Sequence, residues 1–124
     1  MNKDKTILVV DDSETNLILL DAILSEEFNV ITAFNAKQAY TVLINNKLDL
    51  ILLDLLMPNE NGFEIIKNLQ NSIKYKQIPI IVVTAFANEG NKQKANEYGV
   101  LDVIEKPIDI PVFLDKIVSV LNLE

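Results

Sequence analysis

The sequence predicts an α/β fold: a (βα)5 chain forming a doubly wound, five-stranded parallel sheet with helices on both faces. Three observations predict it. Five short apolar runs recur along the 124 residues, and most of them are continuous rather than alternating. Segments of helical period separate them. The two kinds alternate from end to end. An unbroken Val/Ile/Leu run is what a strand shows when both of its faces are core, because successive side chains point to opposite sides.

The apolar runs are Ile7–Val10, Val30–Ala33, Leu50–Leu53, Ile78–Val83 and Val100–Ile104. Leu17, Leu20 and Leu24 share one helix face behind Ser13, a candidate N-cap. Ala36, Ala39, Tyr40 and Leu43 repeat at helical spacing after Asn35. Ile65, Ile66 and Leu69 follow Gly62. Asn88–Tyr98 has mainly Ala95 and Tyr98 as anchors and Gly90 near its start, so it reads as a helix of low stability. Ile110, Phe113, Leu114, Ile117 and Leu121 form the last and longest stripe. Right-handed crossovers leave a few topologies, among them strand order 2-1-3-4-5 with a switch point between strands 1 and 3. That order is taken from known doubly wound sheets; periodicity alone leaves the others open.

The length suits one domain, 1–124, and is too short for two. With 49% hydrophobic and 23% charged residues, the chain can bury a core without covalent staples. There is no cysteine, which excludes disulfides and thiolate sites, and no histidine, which excludes Ser-His-Asp catalysis and His-metal centres. A net charge of −7 repels nucleic acid and anionic lipid, so neither is an expected partner. Met1 to Lys5 is polar and lacks a signal-peptide core, and no apolar run approaches the roughly 18 residues of a membrane span. The expected location is cytoplasmic.

The polar residues that end the strands carry the chemistry. Strand 1 runs into Asp11-Asp12, strand 3 into Asp54, strand 4 into Thr84 and strand 5 into Glu105-Lys106-Pro107. Ligands of open α/β sheets bind at the carboxyl ends of the strands, beside the switch point. Three carboxylates meeting there repel one another, and a hard divalent cation relieves that repulsion. Mg²⁺ takes one or two carboxylates plus phosphate oxygens and keeps several waters. Asp11, Asp12 and Asp54 therefore read as a magnesium site with open positions. An ionised carboxylate can also attack phosphorus, with Thr84 and Lys106 available to stabilise the transferred group. Taken singly, each residue has an ordinary role: a turn or cap Asp, a strand-end Thr, a solvated Lys.

Together they resemble the response-regulator receiver family of two-component signalling, across the whole chain. The matching stretches are Leu8-Val9-Val10-Asp11-Asp12, Leu53-Asp54-Leu55-Leu56-Met57-Pro58, Asn61-Gly62, Val83-Thr84-Ala85 and Glu105-Lys106-Pro107. The resemblance implies a flavodoxin-like sheet and a phosphoacceptor switch that assists its own phosphotransfer and dephosphorylation but is not an enzyme acting on other substrates. Asp54 would accept a phosphoryl group from a sensor histidine kinase or phosphotransfer protein. Asp12 would bind Mg²⁺ directly, Asp11 through water, and the Leu56 backbone carbonyl would be a further ligand. Thr84 and Lys106 would contact phosphoryl oxygens, the Lys106–Pro107 bond would be cis, and Gly62 would provide the tight turn before the third helix. A switch in helix 4 and strand 5 would act on a partner or output domain, with homodimerisation through helix 4, strand 5 and helix 5 as an option. A stand-alone receiver and a fragment of a longer regulator or hybrid kinase are both expected architectures, and Met1 so near strand 1 favours an N-terminal position.

Four positions depart from the family pattern. Val103 stands where a switching aromatic is usual, and reads as plain core. Leu56 and Phe86, two residues after Asp54 and Thr84, are apolar and cannot orient an attacking water, so loss of phosphate should be slower than in a Leu56→Asn variant. Asn61 precedes Gly62 where many relatives have Asp, with no expected consequence. Other functions fit less well. A haloacid-dehalogenase-type, Mg²⁺-dependent aspartyl phosphohydrolase needs an acid where Leu56 stands. A flavin domain would set FMN phosphate against Asp11-Asp12. A degenerate receiver used only for protein contacts would not need the acids, Thr84 and Lys106 all intact.

Overall fold

Alternate positions of the first strand, β1 (Thr6–Val10), enter two different cores. Leu8 and Val10 face one, Ile7 and Val9 the other, and all four are buried. The same division holds in β3 (Leu50–Leu53), where Ile51 and Leu53 part from Leu50 and Leu52. It holds again in β6 (Ile80–Thr84), with Ile80 and Val82 opposed to Ile81 and Val83. This is why the runs do not alternate in sequence: both faces of the sheet are covered. The computed structural model behind this description covers residues 4–57 and 60–122, without the side chains of Leu56 and Asn122.

The first core is closed by α2 (Ala36–Asn45), α3 (Gly62–Gln70) and α4 (Glu89–Glu97), through Ala39, Leu43, Phe63, Ile66, Leu69 and Ala95. The second is closed by α1 (Glu14–Leu24) and α5 (Ile110–Asn122), through Leu17, Leu20, Leu24, Phe113, Ile117 and Leu121. Each fully buried Leu, Ile or Phe contributes roughly 1.5–3 kcal/mol relative to exposure. With β2 (Asn29–Ala33) and β7 (Asp102–Glu105) at the edges, the parallel sheet runs β2-β1-β3-β6-β7. Counting only its five members, that is the expected order 2-1-3-4-5. The anticipated Ser13 cap is present, and Asn35 and Asn88 cap the helices after them in the same way, each accepting a backbone N–H of the first turn that follows. The Lys106–Pro107 bond is cis. Among the described residues no helix is long and apolar enough to cross a membrane.

Several expectations are corrected. The fourth strand starts at Ile80, after Pro79, and extends to Thr84. The fifth starts at Asp102, because Val100 belongs to the end of α4. There Gly99, at φ 90°, and Val100 donate to Asn96 and Ala95 at 3.0 and 3.2 Å, a Schellman stop. A small antiparallel hairpin, β4 (Leu56–Met57) with β5 (Glu60–Asn61), was not anticipated. Gly62 makes no left-handed turn. It is the first residue of α3, with Asn61 as N-cap accepting the Phe63 N–H at 2.8 Å. Val103 is only partly buried, as β7 is an edge strand packed against the first core. Helix α4 is as sparsely anchored as expected, with Ala95 its single buried residue.

Candidate functional site

The sheet delivers the predicted residues to one edge by continuing its ladder past the strand ends. The Asp11 N–H donates to Ala33 O at 3.1 Å, and the Asp54 N–H to Val10 O at 3.0 Å. The two carboxylates thus emerge side by side where the chain leaves β1 and β3. At the neighbouring strands, Thr84 pairs with Glu105 and the Lys106 N–H donates to Thr84 O at 2.9 Å. The buried polar side chains among the described residues are Asp11, Asp54 and Thr84, and all three lie here. A buried polar group is costly unless satisfied, so their concentration at one place calls for a ligand or a partner.

Lys106 supplies part of the compensation. Its Nζ lies 2.7 Å from Asp11 Oδ2 and 3.3 Å from Asp54 Oδ2. The side chain therefore turns inward instead of snorkelling. Asp11 is further held by the Ser13 N–H, 2.9 Å from Oδ1, and by Asn16 Nδ2, 3.3 Å from Oδ2. Asp54 Oδ1 is buried and has no hydrogen-bond partner. Carboxylate oxygens of Asp11, Asp12 and Asp54 lie within 4.8 Å of one another. Six-coordinate Mg²⁺ with ligands at about 2.1 Å places oxygens roughly 3–4 Å apart, so a small contraction would suffice. Hard oxygen donors, one of them orphaned and buried, fit such a cation.

Asp12 is exposed, yet its carboxyl is held above the ordinary range. Lost hydration against the protein contributes most, then repulsion from Asp11 and, more weakly, from Asp54. Its own backbone N–H and Lys106 act in the opposite direction and lose. The cluster is thus short of positive charge as it stands.

Thr84 reaches the same edge from β6. Its hydroxyl oxygen accepts the Phe86 N–H at 3.2 Å. The Phe86 carbonyl in turn accepts from Asn91 Nδ2 at 2.7 Å, and the Asn91 N–H donates to the Asn88 cap at 2.8 Å. A chain of hydrogen bonds therefore joins Thr84 to the first turn of α4. Phe86 itself is exposed. The Leu56 side chain and Pro58 lie outside the described residues, while the Leu56 backbone is paired with Asn61 in the hairpin. Two contributors escaped sequence reasoning. Asn16, in the first turn of α1 behind the Ser13 cap, meets Asp11 from a different element than the strand that carries it. Glu60 accepts the Ala36 N–H with both carboxylate oxygens at 2.9 Å, tying the hairpin beside Asp54 to the start of α2.

Residues 7–118 match the family model of the response regulator receiver domain. The polar-differentiation response regulator DivK of Brucella anthropi is 34% identical over 119 residues, covering 95% of this chain and 97% of DivK. A probable cyclic di-GMP phosphodiesterase of Vibrio cholerae is 32% identical over 90% of this chain, which spans only 25% of that protein. The crystal structure of the Vibrio cholerae chemotaxis protein CheY4 superposes with a TM-score of 0.88 at 27% identity, covering 94% of this chain and 98% of that one. Sheet order and family match agree: the chain belongs to the receiver domains of two-component response regulators.

Proposed function

We propose that Asp54 is the phosphoacceptor of this receiver, with Mg²⁺ held by Asp11, Asp12, Asp54 and the Leu56 backbone carbonyl. The observation that carries the reading is Asp54 itself: buried, one oxygen against Lys106 and the other without any partner. Such an oxygen is ready for a cation or for an electrophile. When bound, Mg²⁺ supplies the charge neutralisation that three neighbouring carboxylates and an incoming phosphoryl group require. An Asp54 oxygen attacks phosphorus in line while the donor's bond to phosphorus breaks and its electron pair departs with the donor. With a phosphohistidine donor, on a sensor kinase or phosphotransfer protein in the same cytoplasmic compartment, the leaving atom is an imidazole nitrogen. Lys106 then pairs with a phosphoryl oxygen, and Thr84 turns from the Phe86 N–H to another.

The exposed apolar ring of Phe86 stands beside this site and cannot hydrogen-bond an attacking water. With Leu56 at the matching place after Asp54, self-dephosphorylation is slow. The response passes to a partner or output domain. Leu101, Ile110 and Val112, exposed around β7 and α5, support a contact or homodimer face there.

The test is incubation with acetyl phosphate and Mg²⁺ followed by intact mass. One added phosphoryl group is expected, absent in Asp54→Asn and without Mg²⁺. No uptake by the wild type would leave a receiver that works through protein contacts alone.

A further inference from the structure

Asp11 Oδ2 is shared by two donors of unequal closeness. Lys106 Nζ is 2.7 Å away and Asn16 Nδ2 3.3 Å. The ammonium rests nearer to Asp11 than to Asp54 Oδ2, at 3.3 Å. Yet when Asp54 gains a phosphoryl group, the new negative oxygens draw that ammonium outward. Asp11 would then lose its best partner. At 2% exposure it is closed to bulk water, so beyond the Mg²⁺ shell a replacement donor for Oδ2 must come from the protein, and an oxygen left short of donors opposes the move.

We propose that Asn16 is a positioning residue for phosphoryl transfer: its amide takes over Asp11 Oδ2 as Lys106 moves to the phosphoryl group. The proposal rests on the reading of Asp54 as acceptor. The residue type fits the task. An amide donates without adding a fourth negative charge to the acids, and it binds no proton as the Asp54–phosphorus bond forms and the donor's bond breaks. Its placement fits as well. The Asn16 N–H is anchored to Ser13 Oγ at 3.3 Å, in the first turn of α1. Asn16 and Lys106 also line one cleft of about 360 Å³, with Leu19, Ala85 and Ile108, so the two donors approach Asp11 as neighbours. The long Asn16 contact marks a secondary donor while Lys106 is in place, and shortens when Lys106 leaves.

Two measurements test this. The first is the phosphorylation rate at saturating acetyl phosphate and Mg²⁺. Asn16→Leu, which keeps the size and removes the amide, slows it about tenfold, with the half-saturating donor concentration and the Mg²⁺ affinity by calorimetry unchanged. Asn16→Ala repeats the loss without apolar bulk, and Asn16→Gln recovers most of the rate. The second is a melting cycle in EDTA with no donor present. If the two donors share one oxygen, Lys106→Ala lowers Tm more in the Asn16→Leu background than in the wild type. An unchanged rate in Asn16→Leu and Asn16→Ala, or additive melting losses, overturns the proposal. A wild type that takes up no phosphoryl group overturns the acceptor reading instead, while the melting cycle still decides whether Asn16 and Lys106 share Asp11.

Discussion

Gly62 sits where a side chain has no room. A Cβ there would come within 2.6 Å of the Asp54 carbonyl oxygen and 2.7 Å of Leu55 Cα, and both are backbone atoms that cannot swing aside. The Gly62 N–H also donates to Leu55 O at 2.8 Å, so the start of α3 is pressed onto the segment that carries Asp54. Gly62→Ala is therefore expected to cost about 1–3 kcal/mol in urea unfolding, as overpacking does, and to slow phosphoryl uptake by displacing Asp54. Wild-type stability in this variant would show that the approach is not rigid. Asp12 gives a second prediction, with a definite sign. Its pKa is raised on folding above the ordinary value near 3.8. The folded protein thus holds that proton more tightly than the unfolded chain, and the metal-free protein loses stability as pH climbs from the ordinary value through the raised one. In EDTA, Asp12→Asn should be more stable than the wild type above this window, by under about 1 kcal/mol because the side chain is exposed, and equal to it below. With Mg²⁺ present the order should reverse. Equal melting curves at all pH values in EDTA would remove Asp12 from the electrostatic cluster.

Helix α4 is the element in which weak packing and connection to the site coincide. It buries one residue, Ala95, and its remaining support lies near its C-terminal end. Tyr98 meets the edge of Phe63 with ring centres 5.8 Å apart, Lys94 Nζ lies 4.4 Å over the Phe63 ring, and Gln70 Nε2 reaches the Gly99 carbonyl at 3.0 Å. Its other end hangs on the Thr84–Phe86–Asn91 hydrogen bonds. Capture of the Thr84 hydroxyl by a phosphoryl oxygen would release that end first. Adding beryllofluoride to the Mg²⁺-bound protein should thus change amide exchange across Thr84–Val103 in a way that differs from β1 and β3, whose protection follows global stability. Gly90→Ala should blunt the change. An added Cβ meets only Asn88 Oδ1, at 3.5 Å, and the helix gains about 0.5–1 kcal/mol. Unaltered protection across that segment would exclude α4 as the moving part. This weakness was legible in the sequence, because a stretch with so few apolar anchors has little to bury. The element boundaries near it were not. Val100 looks like a strand residue until Gly99 is seen to adopt a positive φ and bend the chain. The hairpin of β4 and β5 is too short to show a period at all.

For the whole molecule, the arrangement of acids and the sheet topology are one fact. Strand-end acids could be read as a site because a doubly wound sheet brings the carboxyl ends of β1 and β3 together, and apolar runs identify those ends. What could not be read was the pairing within the site. Lys106 and Asn16 reach Asp11 from separate elements, at distances that depend on the cap of α1 and the path after β7. The pairing is incomplete as it stands, with one ammonium set among Asp11, Asp12 and Asp54, one carboxyl oxygen unpartnered, and a net charge of −7 behind them. A divalent cation should accordingly stabilise the entire fold, since it binds the native cluster and has no such cluster in the unfolded chain. At a hundredfold excess over Kd the gain is about 2.7 kcal/mol. For a domain of this size that raises Tm by roughly 6–15 °C. Scanning calorimetry with Mg²⁺ against the same ionic strength of NaCl separates specific binding from screening, because the monovalent salt should give a small fraction of the shift. Asp54→Asn and Asp12→Asn should each remove most of the Mg²⁺ effect, whereas Asp21→Asn, which changes an exposed acid of α1 outside the cluster by the same charge, should retain it. Equal shifts with Mg²⁺ and NaCl would mean that the three carboxylates respond to the ionic atmosphere and bind no ion.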